Sequence, residues 1–309
     1  MAGVIYTIGE TLLDIIFRDG RPVSATPGGA MLNTAVSLGR AGLKVEFISE
    51  YGKDQTGGII DLFLKENHVG TRFVNRYADG KTALALAFLD RKRNASYSFY
   101  KSYPRIRMKN PFPLTKKADV ILFGSIYSIT PGIHTKIKQW IRRAKTNGTL
   151  IIYDPNFRMT HSDMLVKARP RIVENIALAD IVRGSDEDFL TVLGLRKPEE
   201  VKMKLRSLGC KNIIITRNSK RVIAWFGDKR ISAAVPPVKP IVSTVGAGDS
   251  FNAGIIYALV NGNLNGKGLE NMMIKDPETI VNSGISFAAE VCKTTENYIS
   301  PGFSKSLRS

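Results

Sequence analysis

The chain reads as an α/β protein: a mostly parallel sheet covered by helices on both faces, with a small β flap beside it. Short apolar runs alternate with helical patterns along most of the length, one pair of runs at 82 to 101 has no helix between its members, and glycine-rich segments stand where strands hand over to helices. Repeated βα units imply parallel pairing, because a parallel partner needs a crossover and a helix supplies it while covering a sheet face.

The strands come first. VIYTIG (4 to 9), VEFISE (45 to 50), DVILFGS (119 to 125), TLIIYD (149 to 154), DIVRGS (180 to 185) and NIIITR (212 to 217) are apolar runs of strand length. Between them, NTAVSLGRAG and GIIDLFLKENHVG carry helical periodicity. In GIHTKIKQWIRRAKTNG, Ile133, Ile137, Trp140, Ile141 and Ala144 recur on one face, leaving Lys136, Lys138, Arg142, Arg143 and Lys145 for a solvated one. TALALAFLD, a DRKRN turn and ASYSFYK predict the β-hairpin. Within it Ala83, Ala85, Ala87 and Leu89 alternate with Leu84, Leu86 and Phe88, so both faces are apolar and one needs another surface over it. A homodimer joined through this flap is expected.

Composition bounds the function. The 309 residues are 43% hydrophobic and 23% charged, enough for a core without staples. Cys210 and Cys292 fit neither a disulfide framework nor a zinc or redox spacing, and MAGVIYTIGE has no basic leader. A cytoplasmic protein is the expectation, with no membrane partner. The net charge of +18 invites a nucleic-acid reading, but basic groups such as Arg91 to Arg93, Lys116 and Lys117, and Lys202 to Arg206 are scattered and lack interleaved aromatics. No nucleic-acid partner is expected; a smaller anion such as a nucleotide still gains on-rate from the field.

In such sheets ligands bind beyond the carboxyl ends of the strands. Motifs at those ends are GETLLD after the first strand, PGGAMLN (27 to 33), DPNFR (154 to 158) and GAGD (246 to 249). Backbone amides of Gly246, Ala247 and Gly248 leading into a helix N-terminus make an anion cradle, and glycine lets a phosphate come close. Asp249 then stands where a carboxylate accepts a hydroxyl proton during phosphoryl transfer. The same residues also read as an N-cap and a turn. GNLNGKG (262 to 268) lacks the Walker spacing and no GxGxxG follows the first strand, which disfavours a Walker NTPase and a dinucleotide dehydrogenase.

Four segments together resemble the ribokinase-like (PfkB) carbohydrate kinases, and among them the bacterial fructokinases. PGGAMLNTAVSLGRAG is similar to the family's N-terminal signature, YGKDQTGG to its G-x-D-x-x-G element, DPNFR to its D-x-N-x-R element and VSTVGAGDSFNAG to its C-terminal signature. The resemblance spans nearly the whole chain. It implies one kinase domain over 1–309, a ribokinase-like core with lid strands inserted at about 12–26 and 72–103, and transfer of the γ-phosphoryl group of ATP to a sugar hydroxyl with Mg²⁺. Fructose is the expected acceptor; 2-keto-3-deoxygluconate kinase or ribokinase-type activity, or a catalytically weak sugar-sensing relative, are the alternatives.

Carried over residue by residue, the resemblance makes Asp249 the base, Gly246, Ala247 and Gly248 the anion hole, and Arg158 a contact of the transferring phosphate. Asp14, Gly28, Gly29, Asn33 and Tyr100 would hold the sugar; a carboxylate and an amide supply directed partners for neighbouring hydroxyls. Ser185, Thr216, Asn218, Gly248 and Asn282 would hold the nucleotide, and Asp154 and Asp188, with Asn156 nearby, the metal shell. Structural readings stand beside these: DPNFR as a strand-ending turn, Asn33 as a polar residue early in its helix, Asp14 as a turn residue.

The chain departs from the family pattern in places. SDED stands where N-x-x-E or S-x-x-E is usual, and Ser185 to Asp188 equally spells a helix capping box. TRNSKR replaces T-x-G-x-x-G, so Asn218 and Arg221 stand in for glycines; Asn tolerates a left-handed backbone, whereas Arg221 is expected to pay a steric cost. Ser243, Thr244 and Val245 replace D-T-T, which predicts a weak or absent monovalent cation site, since a hydroxyl lacks the charge that offsets cation dehydration. FYKSYP resembles a lid element of fructokinases and 2-keto-3-deoxygluconate kinases, and Lys101 offers a point charge rather than the bidentate fork an acid substrate prefers. Lys101, Tyr103 and Arg105 also read as a soluble edge.

Overall fold

The apolar runs form strands for a simple reason: they are too short for helices and need both faces covered. A computed structural model describes residues 3–90, 95–157, 164–263 and 276–308. β1 (Ile5–Ile8) is buried throughout, and β2 (Leu12–Arg18) and β3 (Arg21–Gly28) form a hairpin ahead of α1 (Ala30–Arg40). β4 (Val45–Ile48), β5 (Glu50–Gly52), α2 (Gln55–Glu66), β6 (Val69–Gly70) and β7 (Asn75–Tyr77) follow, then the hairpin β8 (Lys81–Leu89) and β9 (Ala95–Ser102). From β10 (Val120–Gly124) the chain alternates: α3 (Ile133–Thr146), β11 (Leu150–Asp154), α4 (Leu165–Leu178), β12 (Ile181–Ser185), α5 (Asp186–Leu193), α6 (Pro198–Ser207) and β13 (Asn212–Arg217). β14 (Arg221–Phe226), β15 (Lys229–Ala234), α7 (Ala247–Ala258), α8 (Pro277–Val291) and α9 (Pro301–Ser306) complete it.

Among the described residues the main sheet runs β15-β14-β13-β12-β11-β10-β1-β4-β6. Pairing is parallel from β6 to β13 and antiparallel at β14 and β15. That edge hairpin was not expected; its signal was the Gly227-Asp228 loop between two strand-length runs. Alternate residues of each central strand feed opposite faces. Val120 and Leu122 join the core that contains Leu32, Phe251 and Ile280, and Ile121 and Phe123 join that of Ile137, Trp140 and Ile176. Helices therefore cover both faces, as the alternation predicted. The buried stripe of α3 is the predicted one, with His134 added, but its basic face is partly engaged: Lys136 Nζ donates to Arg107 O and Met108 O, and Lys145 Nζ to Leu178 O.

The second sheet runs β3-β2-β8-β9 and forms the lid. Its members lie at 12–28 and 81–102, while β7 pairs with β5 outside it. Asp54 fastens lid to core: it caps α2 by accepting from Gly57 N, and also accepts from Thr82 N and Thr82 Oγ1 at the start of β8.

Candidate active site

Chain order runs outward from β1 in both directions, through β4 to β6 and through β10 to β13, so the carboxyl ends of β1 and β10 flank a topological switch point. Glycines shape the loop beyond β1. A Cβ on Gly28 would overlap the Asp14 carboxylate, and one on Gly29, whose φ is 132°, would overlap Glu10 O. The pair lets β3 turn into α1 while Asp14 stays against the bend. Asn33, one turn into α1, is not an ordinary polar residue: its Nδ2 donates to Asp249 Oδ2 at 2.9 Å, and its buried Oδ1 has no partner among the described residues.

Asp249 is buried in the first turn of α7, where Gly246, with φ 80°, is the N-cap residue. The N-cap reading of Asp249 is thereby corrected. A Cβ on Gly246 would overlap Asn297 O, so only glycine makes this turn. Asp249 Oδ1 accepts from Asn156 Nδ2 at 3.4 Å, and its carbonyl accepts from Thr34 Oγ1 at 2.9 Å. Residues of α1 and of the segment after β11 thus aim a carboxylate carried by α7. The predicted amide cradle is modified by one bond, since Ala247 N donates to Thr244 O at 3.3 Å. Gly248 and Asp249 keep the first-turn position in which amides point out of a helix and the macrodipole favours anions.

DPNFR is more than a turn. Asp154 is fully buried, and its Oδ2 accepts from Arg183 Nη1 at 2.9 Å and Asn252 Nδ2 at 2.6 Å, its Oδ1 from Asn156 N at 3.0 Å. Burial raises the Asp154 carboxyl above its ordinary pKa, and the Arg183 charge opposes that rise. Asp188 Oδ2 accepts from Ser185 N and Oγ while Asp188 N donates to Ser185 Oγ, so the capping box is present; Asp188 Oδ1 accepts from Phe157 N. Both oxygens of each carboxylate thus have hydrogen-bond partners, and no group of three or more His, Cys, Asp or Glu converges among the described residues. Hydrogen bonding holds Asp154 in place, and capping together with the bond from Phe157 N holds Asp188.

Among the residues expected to hold the nucleotide, Thr216 accepts at Oγ1 from Arg183 Nη2 at 2.9 Å. Asn218 has φ 47°, a left-handed conformation that its side chain tolerates. Arg221 escapes the expected cost because it sits in extended β14, paired with Arg217. Asn282 is exposed on α8, with its neighbour Ser283 Oγ donating to Gly254 O of α7. Arg158 lies outside the described residues. Ser243 Oγ accepts from Val245 N at 3.2 Å in a local turn.

Tyr100 requires correction. Strand register puts Asp14 beside Ala85 and Ala85 beside Phe99, so the period of two sends Tyr100 to the opposite lid face with Leu84 and Leu13. Phe99 and Tyr97, stacked with centroids 5.9 Å apart, share Asp14's face. Lys101 and Tyr103 are not a free edge: Lys101 Nζ and Tyr103 OH donate to the two oxygens of Glu10, each at 2.7 Å. Sequence reading missed Glu10, Asn252 and Arg183. Arg183 had a signal, a charge in the middle of an apolar strand.

Comparison with known proteins gives the arrangement its family. Residues 5–299 match the pfkB family of carbohydrate kinases. The chain is 29% identical over 272 residues to a probable chloroplastic fructokinase-6 of Arabidopsis thaliana, covering 83% of this chain and 70% of that protein. It is 29% identical over 277 residues to fructokinase-1 of Oryza sativa subsp. japonica, covering 84% and 85%. Its fold superposes on fructokinase with bound ATP from Xylella fastidiosa with a TM-score of 0.81 at 21% identity, covering 98% and 97% of the two chains. For fructokinase from Vibrio cholerae O395 in its fructose, ADP and calcium ion bound form the TM-score is 0.82 at 19% identity, with 99% of each chain covered. A ribokinase-like core, a β lid and a carboxylate aimed from a glycine-led helix over nearly the full length have one reading: the chain belongs to the pfkB family of carbohydrate kinases, phosphotransferases that act on a sugar hydroxyl.

Proposed function

We propose that this kinase transfers the γ-phosphoryl group of ATP to a hydroxyl of fructose, giving fructose 6-phosphate. The observation that carries the reading is the Asn33 to Asp249 hydrogen bond, which joins the sugar-side helix to the carboxylate at the anion-binding turn. The curated relatives named above are fructokinases, which supports fructose as the acceptor. Asp14 and the unpaired Asn33 Oδ1 offer acceptors for sugar hydroxyls, and Phe99 and Tyr97 offer an apolar cover from the lid. Lys101, already paired with Glu10, is not an open charge awaiting an acid substrate.

Asp249 accepts the proton of the attacking hydroxyl, a transfer that Asn33 and Asn156 prepare by fixing the carboxylate's orientation. First-turn amides of α7 stabilise charge on the moving phosphoryl group. Asp154 and Asp188 would hold Mg²⁺ together with the ATP phosphates, and the ion would neutralise charge on the transferring group. Activation by monovalent cations is weak, because Ser243 brings no formal charge. The outer lid face, where Phe88 is 41% exposed beside Leu84 and Leu86, packs against a second copy, and the protein works in the cytosol. An ATP-turnover assay over fructose, ribose and 2-keto-3-deoxygluconate tests the reading: fructose should have the highest kcat/KM, and a preference for either other sugar rejects it.

A further inference from the structure

We propose that Arg183 is a positioning residue for phosphoryl transfer: it places fixed positive charge behind the Gly246 to Gly248 turn and ties that turn to β11 and β13. The inference rests on the kinase reading above. Arg183 lies in β12 between residues that are themselves buried, and its side chain is only 7% exposed. A guanidinium in such a place needs an account, since burying a charge is costly and a buried ion pair adds little net stability over apolar packing.

Its contacts supply the account. Nη1 donates to Asp154 Oδ2 and Nη2 to Thr216 Oγ1, both at 2.9 Å, so one rigid fork bridges β11 and β13. The Asp154 oxygen it holds also accepts from Asn252 of α7 at 2.6 Å, which carries the constraint into the helix that bears Asp249. The guanidinium carbon stands 5.3 Å from the centroid of Phe251, on that same helix. A Cβ on Gly248 would sit 3.1 Å from Nη1 and 3.2 Å from Nη2, so the charge rests directly behind the turn. Its Nε is buried and has no partner among the described residues.

Charge placed behind first-turn amides adds to the helix end's own positive potential in a region where water screens little. An arginine serving only to neutralise Asp154 would need neither the bond to Thr216 nor contact with Gly248. The fork therefore acts on phosphoryl transfer through the turn and helix that it holds, without contacting the sugar.

Three variants separate the roles, with kcat, the KM values and melting temperature measured for each. Arg183→Lys keeps the charge, Arg183→Gln keeps a hydrogen-bond donor without it, and Arg183→Met keeps only bulk. The expected result is a kcat fall of about tenfold to a hundredfold in the Gln and Met variants, with KM for fructose unchanged and the Lys variant closer to wild type. A Gln variant with kcat within about threefold of wild type overturns the inference and leaves the kinase reading standing. Should Gln and Met fail to fold, Lys decides: a folded Lys variant that loses more than about a hundredfold overturns it. A wild-type chain that phosphorylates no sugar rejects the kinase reading and this inference with it.

Discussion

Asn33 and Asp249 lie 216 positions apart in sequence and meet through a 2.9 Å hydrogen bond from Asn33 Nδ2 to Asp249 Oδ2. The bond fixes which carboxylate oxygen is held and leaves the other facing Asn156. Asp249→Asn keeps the shape and removes the base, so kcat should fall by ~10² to 10⁴ while sugar binding and melting temperature hold. Steady-state kinetics with calorimetric sugar titration check this; near-normal kcat would end the assignment of Asp249 as base.

Gly28 lies at the other end of the proposed sugar site, against Asp14. Its missing Cβ is the space in which the Asp14 carboxylate rests, so Gly28→Ala must push that carboxylate aside. KM for the sugar should rise by about tenfold or more, with KM for ATP little changed, because a displaced binding group costs on the order of 1 to 3 kcal/mol. Equal rises in both KM values would point to a general disturbance instead.

The capping box gives a stability prediction. Asp188→Ala removes the acceptor that Ser185 N, Ser185 Oγ and Phe157 N share, so unfolding free energy should drop by about 1 to 2 kcal/mol. Denaturant titration measures it. No loss of stability would mean the box carries none of the helix start.

The outer lid face should bury itself in a dimer. Phe17 and Phe88 stack there with centroids 4.9 Å apart, next to half-exposed Leu84 and Leu86. Light scattering at micromolar concentration should show a dimer, and Leu86→Asp should yield a folded monomer, since a charge cannot be buried unpaired at such an interface. A monomeric wild type refutes the lid dimer.

Potassium should matter little. Ser243 Oγ is engaged with Val245 N and contributes no carboxylate. Kinase rate in tetramethylammonium buffer should change less than tenfold as K⁺ is added, and a larger rise, worth about 1.4 kcal/mol of transition-state stabilisation, would show that carbonyls alone make a working cation site.

The sequence by itself determined the α/β class, the parallel core strands, the buried stripe of α3, the β8–β9 hairpin and the four segments that gather at the active site. These follow from local causes: hydrophobic period, strand length and the backbone freedom of glycine. It also marked Asn218 as a residue that tolerates a left-handed backbone, the conformation it adopts. Tertiary structure alone decided what depends on register and on partners distant in sequence. Tyr100 and Phe99 are neighbours with equal claims on paper, and only pairing with β8 and β2 tells which shares a face with Asp14. Asp154 and Asp188 carry the same carboxylate as Asp249. Arg183 and Asn252 occupy the first, the second enters the local capping box that Ser185 and Asp188 already spelled, and Asn33 and Asn156 steer the third; the first and third arrangements exist only once β11, β12 and α7 are packed together.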